Sequence, residues 1–234
     1  MKTYETDYGT FSCFENDYYF VKSFSDGKVF DQELVERELT PYIMKANTIL
    51  DIGAHIGCHT IMYSKINPNA NIYSFEPQSK LFSLLDANLK ANDIKNVTIL
   101  NNAVGNEVKR VHMSNYIADG PNNDKPLVYD GYDQNIGGLS LGRDGEEVSM
   151  ITVDSLALTE CDFIKIDVEG AEKMVIAGAM NTIKKFKPTI FYECNHKKIA
   201  SLITLTSHDM IRSLGDYEIC EIGEDNFIAI FNPL

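Results

Sequence analysis

The chain has 234 residues, of which 44% are hydrophobic and 24% charged, a composition that can bury a sizeable core. Its 34 acidic residues outnumber 21 basic ones and give a formal net charge of −13, which disfavours nucleic acid and anionic membrane surfaces as partners. No apolar stretch could span a bilayer, the first residues lack the apolar core of a signal peptide, and the five cysteines are scattered. These features predict a cytoplasmic protein with reduced thiols.

The N-terminal part, residues 1–45, is predicted to form a hairpin and a helix. Aromatic and β-branched residues alternate with polar ones over residues 10–30 around a Ser-Asp-Gly turn, which indicates the hairpin. Apolar residues at helical spacing follow in residues 31–43, and Pro41 marks the predicted end of that helix.

A regular alternation of strands and helices then begins. Strands are predicted at 47–53, 70–77, 96–105, 161–170 and 188–194, helices at 58–66, 79–93, 171–186 and 197–214, and a closing antiparallel hairpin at 217–231. This order predicts an α/β fold with a mostly parallel sheet and helices on both faces. Residues 106–150 interrupt the pattern and are rich in Gly, Asn, Asp and Tyr, which indicates a β-rich insertion over the sheet edge. The whole chain, 1–234, is predicted to be a single domain.

The turn after the first strand of this alternation indicates a nucleotide site. In ILDIGAHIGCHT, residues 49–60, the turn reads Gly53-Ala54-His55-Ile56-Gly57. A dinucleotide-binding turn needs a bare glycine where His55 stands, so that the backbone can approach the pyrophosphate. Asp51 would also bring a carboxylate close to that phosphate. Both residues suit a ligand with an ammonium or sulfonium group instead, such as S-adenosylmethionine.

The next two strands end in residues that suit the same ligand. Glu76, followed by Pro77, lies about 20 residues after the turn. An acid at this position can accept hydrogen bonds from both hydroxyl groups of a ribose. Asn102 and Ala103 end the third strand and are expected to border the adenine. Alone, the glycine turn could be an ordinary βα turn and Glu76 a capping acid. In series at successive strand ends, they favour a cofactor site.

Several segments resemble the FkbM family of S-adenosylmethionine-dependent methyltransferases. They are ILDIGAHIGCHT, IYSFEP, NNAVGN, NIGGLSL, and FIKIDVEGAEKMVIAGA followed by PTIFYE. The resemblance extends from about residue 48 to residue 193, in the right order and spacing. It implies a class I methyltransferase fold, which is Rossmann-like, and O-methylation of hydroxyl groups, often on sugars of glycans or natural products.

Methyl transfer to a hydroxyl requires a base or a metal ion that acidifies the hydroxyl. Asp167 and Glu169 lie at the end of FIKIDVEG, and Glu193 ends the next strand, just before Asn195 and His196. Asp167 is expected to face the cofactor, and the catalytic candidates are Asp167, Glu169, Glu193 and His196. Asp167 and Glu193 resemble the acidic pair of catechol-type O-methyltransferases and predict a Mg²⁺ or Mn²⁺ site, for which Asn195 is a further candidate ligand.

Less specific interpretations remain open for the same residues. His196 could be a surface histidine beside Lys197 and Lys198, and Glu169 a favourable acid in the first turn of a helix. The alternatives for the whole chain are a nicotinamide-dependent oxidoreductase and a non-catalytic S-adenosylmethionine-binding module. The expected partner is a small molecule or glycan with a free hydroxyl, and neither nucleic acid nor a membrane.

Overall fold

A computed structural model describes residues 1–117, 120–194 and 206–232. The N-terminal segment contains the hairpin β1 (Lys2–Thr6) and β2 (Gly9–Cys13), helix α1 (Tyr18–Ser25), and a helical stretch made of α2 (Gln32–Leu34), a π-helical turn (Val35–Leu39) and α3 (Thr40–Ile43).

The central part alternates strands and helices, as the sequence predicts. It comprises β3 (Thr48–Ile52), α4 (Cys58–Ile66), β4 (Asn71–Phe75), α5 (Ser79–Ala91), β5 (Val97–Leu100), β6 (Ala103–Val104), β7 (Lys109–Met113), β8 (Leu141–Gly142) and β9 (Glu147–Ile151). After a 3₁₀ turn (Val153–Leu156) come β10 (Phe163–Ile166), α6 (Glu172–Gly178), α7 (Met180–Phe186), β11 (Thr189–Glu193), α8 (Ser207–Ser213), β12 (Tyr217–Gly223) and β13 (Asn226–Phe231).

Seven strands form the main sheet in the order β12-β13-β11-β10-β3-β4-β5. The five strands from β11 to β5 are parallel, and β13 and β12 join antiparallel at one edge. Successive residues of β3 point to opposite faces, so Ile49 belongs to the core beneath α4 and α5 while Leu50 belongs to the core beneath α6 and α7. The predicted α/β fold, with a mostly parallel sheet and helices on both faces, is therefore confirmed.

The predicted N-terminal hairpin lies earlier in the chain than the sequence indicated. Strands β1 and β2 pair around a turn at residues 7–8, whereas the Ser-Asp-Gly sequence forms the C-terminal end of helix α1, whose last residue is Ser25. Phe20 and Phe24, four residues apart, are both buried on one face of α1. The helical spacing of these two rings therefore outweighs the apparent alternation of polar and apolar residues.

Pro41 does not end the helical stretch. It lies in the first turn of α3, directly after the π-helical turn Val35–Leu39, and the backbone stays helical through Leu39 and Thr40. The preceding π-helical turn accommodates the ring, and the Thr40 hydroxyl donates a hydrogen bond to the Val35 carbonyl at 3.0 Å. The stretch therefore continues to Ile43.

Two further predicted elements are divided. The strand predicted at 96–105 is interrupted by Asn101 and Asn102, so that β5 joins the main sheet and β6 joins a second sheet. The helix predicted at 171–186 breaks at Ala179, between α6 and α7. Of the helix predicted at 197–214, residues 197–205 lie outside the described residues.

The insertion contributes a second sheet, in the order β6-β9-β7-β8. It contacts the N-terminal segment through Tyr18, whose N–H donates to the Gln134 carbonyl at 2.9 Å. The hairpin is fastened to α5 by Asn88, whose side chain bonds the Ser12 backbone and the Ile56 carbonyl. Within the described residues, no helix is long and apolar enough to cross a membrane.

Candidate active site

A cavity of about 560 Å³ opens at the carboxyl ends of β3, β4, β10 and β11. The chain runs from β3 outward to β4 and β5 on one side, and β10 and β11 lie on the other. Ligands in open α/β sheets bind where the strand order reverses in this way. The N-terminal segment, the insertion and the β12–β13 turn contribute the other walls.

The turn after β3 brings the backbone of two strands into close contact. Gly53 has φ +85°, and a Cβ there would lie 1.7 Å from the carbonyl oxygen of Asp167. A side chain is therefore excluded at this position by both backbone conformation and space. The turn fits closely against the end of β10, which keeps Asp167 at the floor of the cavity.

His55 connects this turn to the N-terminal segment. Its backbone is left-handed, with φ +51°, its ring stacks on Phe20 at a centroid distance of 4.4 Å, and its Nε2 lies 3.5 Å from Asp17 Oδ2. Burial lowers the pKa of His55 to about 3 and raises that of Asp17 to about 8. The imidazole is consequently neutral at physiological pH.

Asp51 lies beneath the cavity floor, paired with Lys165 on the neighbouring strand. The Lys165 ammonium is 3.3 Å from both Asp51 Oδ1 and Asp167 Oδ2, and it donates to the Gly53 carbonyl at 2.8 Å. The Thr60 hydroxyl donates to Asp51 Oδ2 at 2.5 Å. Burial alone would lower the pKa of Lys165, but the two carboxylates raise it above its usual value. One buried cation is thus shared by two acids.

Glu76 directly follows β4 and has only 4% of its surface exposed. Its carboxylate accepts hydrogen bonds from the backbone N–H groups of His55, at 2.9 Å, and Gln78, at 2.8 Å. Burial raises the pKa of Glu76 to about 7, although these two bonds act in the opposite direction. The carboxylate is therefore fixed in orientation at the cavity wall.

Of the residues predicted to bind the cofactor, seven line the cavity, and they are Gly53, His55, Glu76, Pro77, Asn102, Ala103 and Asp167. The structure places Asp51, Ala54 and Gly57 outside the lining. Asp51 lies below it, the Ala54 N–H bonds the Phe75 carbonyl, and Gly57 starts α4 with φ +95°. These three residues shape the turn from behind.

Three acids, which we call the carboxylate triad, meet at the ends of β10 and β11. One carboxylate oxygen of each of Asp167, Glu169 and Glu193 lies within 4.8 Å of the others. Burial and the charge of Asp167 raise the pKa of Glu193, whereas the Lys165 ammonium, working against burial, lowers that of Asp167. Asn195 and His196, which the sequence also suggested, lie outside the described residues.

Several residues of the cavity are not among the site residues predicted from the sequence. Asp31 and Phe30 come from the N-terminal segment, Asn135 and Gly137 from the NIGGLSL segment, and Asp225 from the β12–β13 turn. Of these, the NIGGLSL segment alone carried a signal, its pair of glycines. The others follow from how distant parts of the chain pack together.

Comparison with known proteins agrees with this architecture. An FkbM methyltransferase from Methylobacillus flagellatus has a TM-score of 0.53 and 18% identity, over 79% of this chain and 43% of that chain. This chain therefore spans less than half the length of that protein. A SAM-dependent methyltransferase from Aquifex aeolicus (TM-score 0.46, 14% identity, 85% and 90% coverage) and a fibrillarin with bound S-adenosyl-L-methionine from Aeropyrum pernix (0.43, 14%, 80% and 67%) are also similar. No curated protein matches the sequence.

The sheet order and the cavity at its switch point define a class I methyltransferase fold. The family model described as the Methyltransferase FkbM domain matches residues 51–217, more than half of the chain. The protein belongs to this family of S-adenosylmethionine-dependent methyltransferases, as the sequence resemblance predicted. Membership favours methyl transfer over the nicotinamide-dependent alternative.

Proposed function

We propose that the protein is an O-methyltransferase that transfers a methyl group from S-adenosylmethionine to a hydroxyl of a sugar, in a glycan or a glycosylated small molecule. The observation that carries this proposal is the cavity at the strand ends, where a buried carboxylate, Glu76, and the carboxylate triad line the same space. Glu76 can accept hydrogen bonds from the hydroxyl groups of a ribose, and the carboxylate triad can take the proton of an acceptor hydroxyl.

Two features of the cavity fit the cofactor. Glu76 is oriented by two backbone N–H groups, and each carboxylate oxygen can accept one further hydrogen bond, as a ribose diol requires. The ring nitrogens of His55 are buried and form no hydrogen bond within the described residues. In our proposal Gly53, His55, Glu76 and Pro77 hold the nucleoside and amino-acid parts, and Asn102 and Ala103 border the adenine.

The remaining residues act on the acceptor. The chemistry that S-adenosylmethionine supplies when bound is an electrophilic methyl group on a cationic sulfur. Asp167 and Glu169 orient the acceptor hydroxyl, and a carboxylate of the triad takes its proton as the oxygen gains the methyl group. Lys165 keeps Asp167 ionised, because the ammonium lies 3.3 Å from its carboxylate. Asp167 also lies beside the cofactor in this arrangement.

We also propose that the triad can bind Mg²⁺ or Mn²⁺. Its three carboxylate oxygens are close enough to share one ion, and oxygen ligands favour these hard cations over zinc. A bound cation would acidify the hydroxyl and offset the repulsion between Asp167 and Glu193. Asn195 remains a proposed additional ligand.

The test is calorimetry with S-adenosylhomocysteine, with Mg²⁺ or Mn²⁺ and with EDTA, followed by methylation assays on deoxysugar-containing glycans. We expect micromolar binding, and we expect Asp167→Asn to abolish methyl transfer without unfolding the protein. Metal titration alone should give a heat that Asp167→Asn removes. Activity that survives exhaustive chelation would reject the metal, and binding of S-adenosylhomocysteine without transfer to any hydroxyl would favour a non-catalytic binding module.

A further inference from the structure

The charges around the cavity restrict the acceptor. Besides Glu76 and the carboxylate triad, the lining includes Asp31, Glu224 and Asp225, and among the described residues it contains no lysine or arginine. Lys165, beneath the floor, is already shared between Asp51 and Asp167. A negatively charged acceptor, such as a sugar phosphate or a uronic acid, would be repelled by this surface.

Asp31 is the acid that the N-terminal segment adds to this wall. It immediately precedes α2, and its backbone is left-handed, with φ +59°, a conformation that costs free energy for a residue other than glycine. Its side chain retains 29% exposure. Within the described residues, the carboxylate accepts no hydrogen bond and has no lysine or arginine at salt-bridge distance. Its one ionic contact is with His59.

His59 does not supply a permanent countercharge. Its Nε2 lies 3.7 Å from Asp31 Oδ2, with 6% of the residue exposed, and has no hydrogen bond within the described residues. Burial lowers the pKa of His59 to about 4, so the ring is neutral near pH 7. Burial and the negative charge of Asp167 raise the pKa of Asp31 to about 6. The Asp31 carboxylate is thus exposed to the negative charge of Asp167, and Lys165, which acts on Asp31 in the opposite direction, is already paired with Asp51 and Asp167.

Three aromatic residues line the cavity together with Asp31, and one of them, Phe30, directly precedes it in the chain. The others are Tyr19 and Phe20, and the Phe30 ring lies 5.0 Å from that of Phe20 and 6.4 Å from that of Tyr19. Such rings can pack against the apolar face of a sugar and attract a cation over their own faces. An acid beside aromatic rings is a suitable environment for an organic ammonium group.

Building on the proposed O-methyltransferase activity, we propose that the acceptor is a hydroxyl compound bearing a protonated amine, such as an amino-sugar unit, and that Asp31 is the counter-ion of that amine. The hydroxyl to be methylated would lie at the carboxylate triad, and the ammonium group would lie at Asp31. The acetylated form of the same sugar would lose the charge and with it this contact.

The test is binding of simple probes to the protein saturated with S-adenosylhomocysteine. Glucosamine, N-acetylglucosamine and glucuronic acid share a pyranose ring and are cationic, neutral and anionic near pH 7, and their dissociation constants are measured by NMR titration. We expect glucosamine to bind about tenfold more tightly than N-acetylglucosamine, in line with one charged contact, and glucuronic acid to bind least. Asp31→Asn should remove this preference and leave the affinity for S-adenosylhomocysteine unchanged, whereas Asp130→Asn, an equal charge change at an exposed residue of the insertion, should keep it.

Two results would overturn the inference. One is equal or weaker binding of glucosamine relative to the acetylated sugar, including no binding at all, and the other is an unchanged preference in Asp31→Asn. Failure of the methyltransferase proposal is separate, because it would appear as absent binding of S-adenosylhomocysteine by the wild-type protein. Methylation of neutral sugars without charge preference would leave that proposal standing and reject only the role of Asp31.

Discussion

At the end of β4, the Glu76 carboxylate serves the turn and the cavity together. It accepts hydrogen bonds from the backbone N–H groups of His55 and Gln78 and also lines the cavity. The fixed orientation limits the side-chain entropy that a bound ligand would otherwise cost. Burial also raises the pKa of Glu76 to about 7, and hydrogen bonds from a ribose would favour the ionised form.

We therefore expect Glu76→Ala to weaken the binding of S-adenosylhomocysteine by about 2 kcal/mol, or roughly 30-fold, as for the loss of hydrogen bonds to a charged group. Calorimetry measures the dissociation constant. Glu107→Ala, at an exposed acid of the insertion, is the matched control and should bind as the wild type does. An unchanged constant in Glu76→Ala would remove this residue from the cofactor site.

At the same scale, the sequence identified some cavity residues and not others for a physical reason. Glu76 and Asp167 directly follow apolar strands, Glu193 is the last residue of another, and the ends of parallel strands meet at one edge of the sheet. Their proximity could therefore be predicted from local pattern. Asp31 lines the cavity, and Asp17 contacts His55 behind it, because the N-terminal segment packs over the turn after β3, and no short-range pattern encodes that packing.

Among the elements, the turn between β3 and α4 depends most strictly on close packing. Both Gly53 and Gly27 have positive φ, at +85° and +73°, but a Cβ at Gly53 would lie 1.7 Å from the Asp167 carbonyl whereas a Cβ at Gly27 would meet nothing within 4 Å. The two glycines thus share the conformational requirement and differ in the available space.

Gly53→Ala and Gly27→Ala should consequently differ in stability. We expect Gly27→Ala to lower the free energy of unfolding by about 1 kcal/mol, the cost of a left-handed alanine, and Gly53→Ala to lower it by about 3 kcal/mol or more, because β3 and β10 must also separate. Urea unfolding of both variants measures the difference. Equal losses would mean that the turn can move away from Asp167 at little cost.

The elements themselves show where local pattern is sufficient. Helix α4 has the predicted bounds, and α5 begins as predicted, because their apolar residues recur at helical spacing beneath a sheet. Residues 18–25 form a helix where a hairpin was predicted. The spacing of Phe20 and Phe24 fits the two-residue repeat of a strand as well as the 3.6-residue repeat of a helix. The split of β5 from β6 depends on pairing with β9, a partner nearly 50 residues away.

At the scale of the whole molecule, the contact between Asp17 and His55 joins the N-terminal segment to the turn after β3. The unfolded chain would have ordinary pKa values of about 3.9 for the aspartate and 6.5 for the histidine, whereas the folded values are about 8 and about 3. Between about pH 4 and 6.5 the folded and unfolded pairs each hold one proton, so this pair gives no pH dependence there. Above pH 6.5 only the folded state retains a proton, on Asp17.

Stability should therefore fall as the pH rises from 6.5 to 8, by about 2 kcal/mol from this pair, since each pH unit corresponds to about 1.4 kcal/mol per proton. In Asp17→Asn this loss should disappear. Instead, because His55 stays neutral in the folded protein, stability should rise between about pH 4 and 6.5. Urea unfolding of both proteins across this range measures the two curves, and the difference between them cancels other titrating groups such as Glu76. Parallel curves would show that the pKa of Asp17 is not raised in the folded protein.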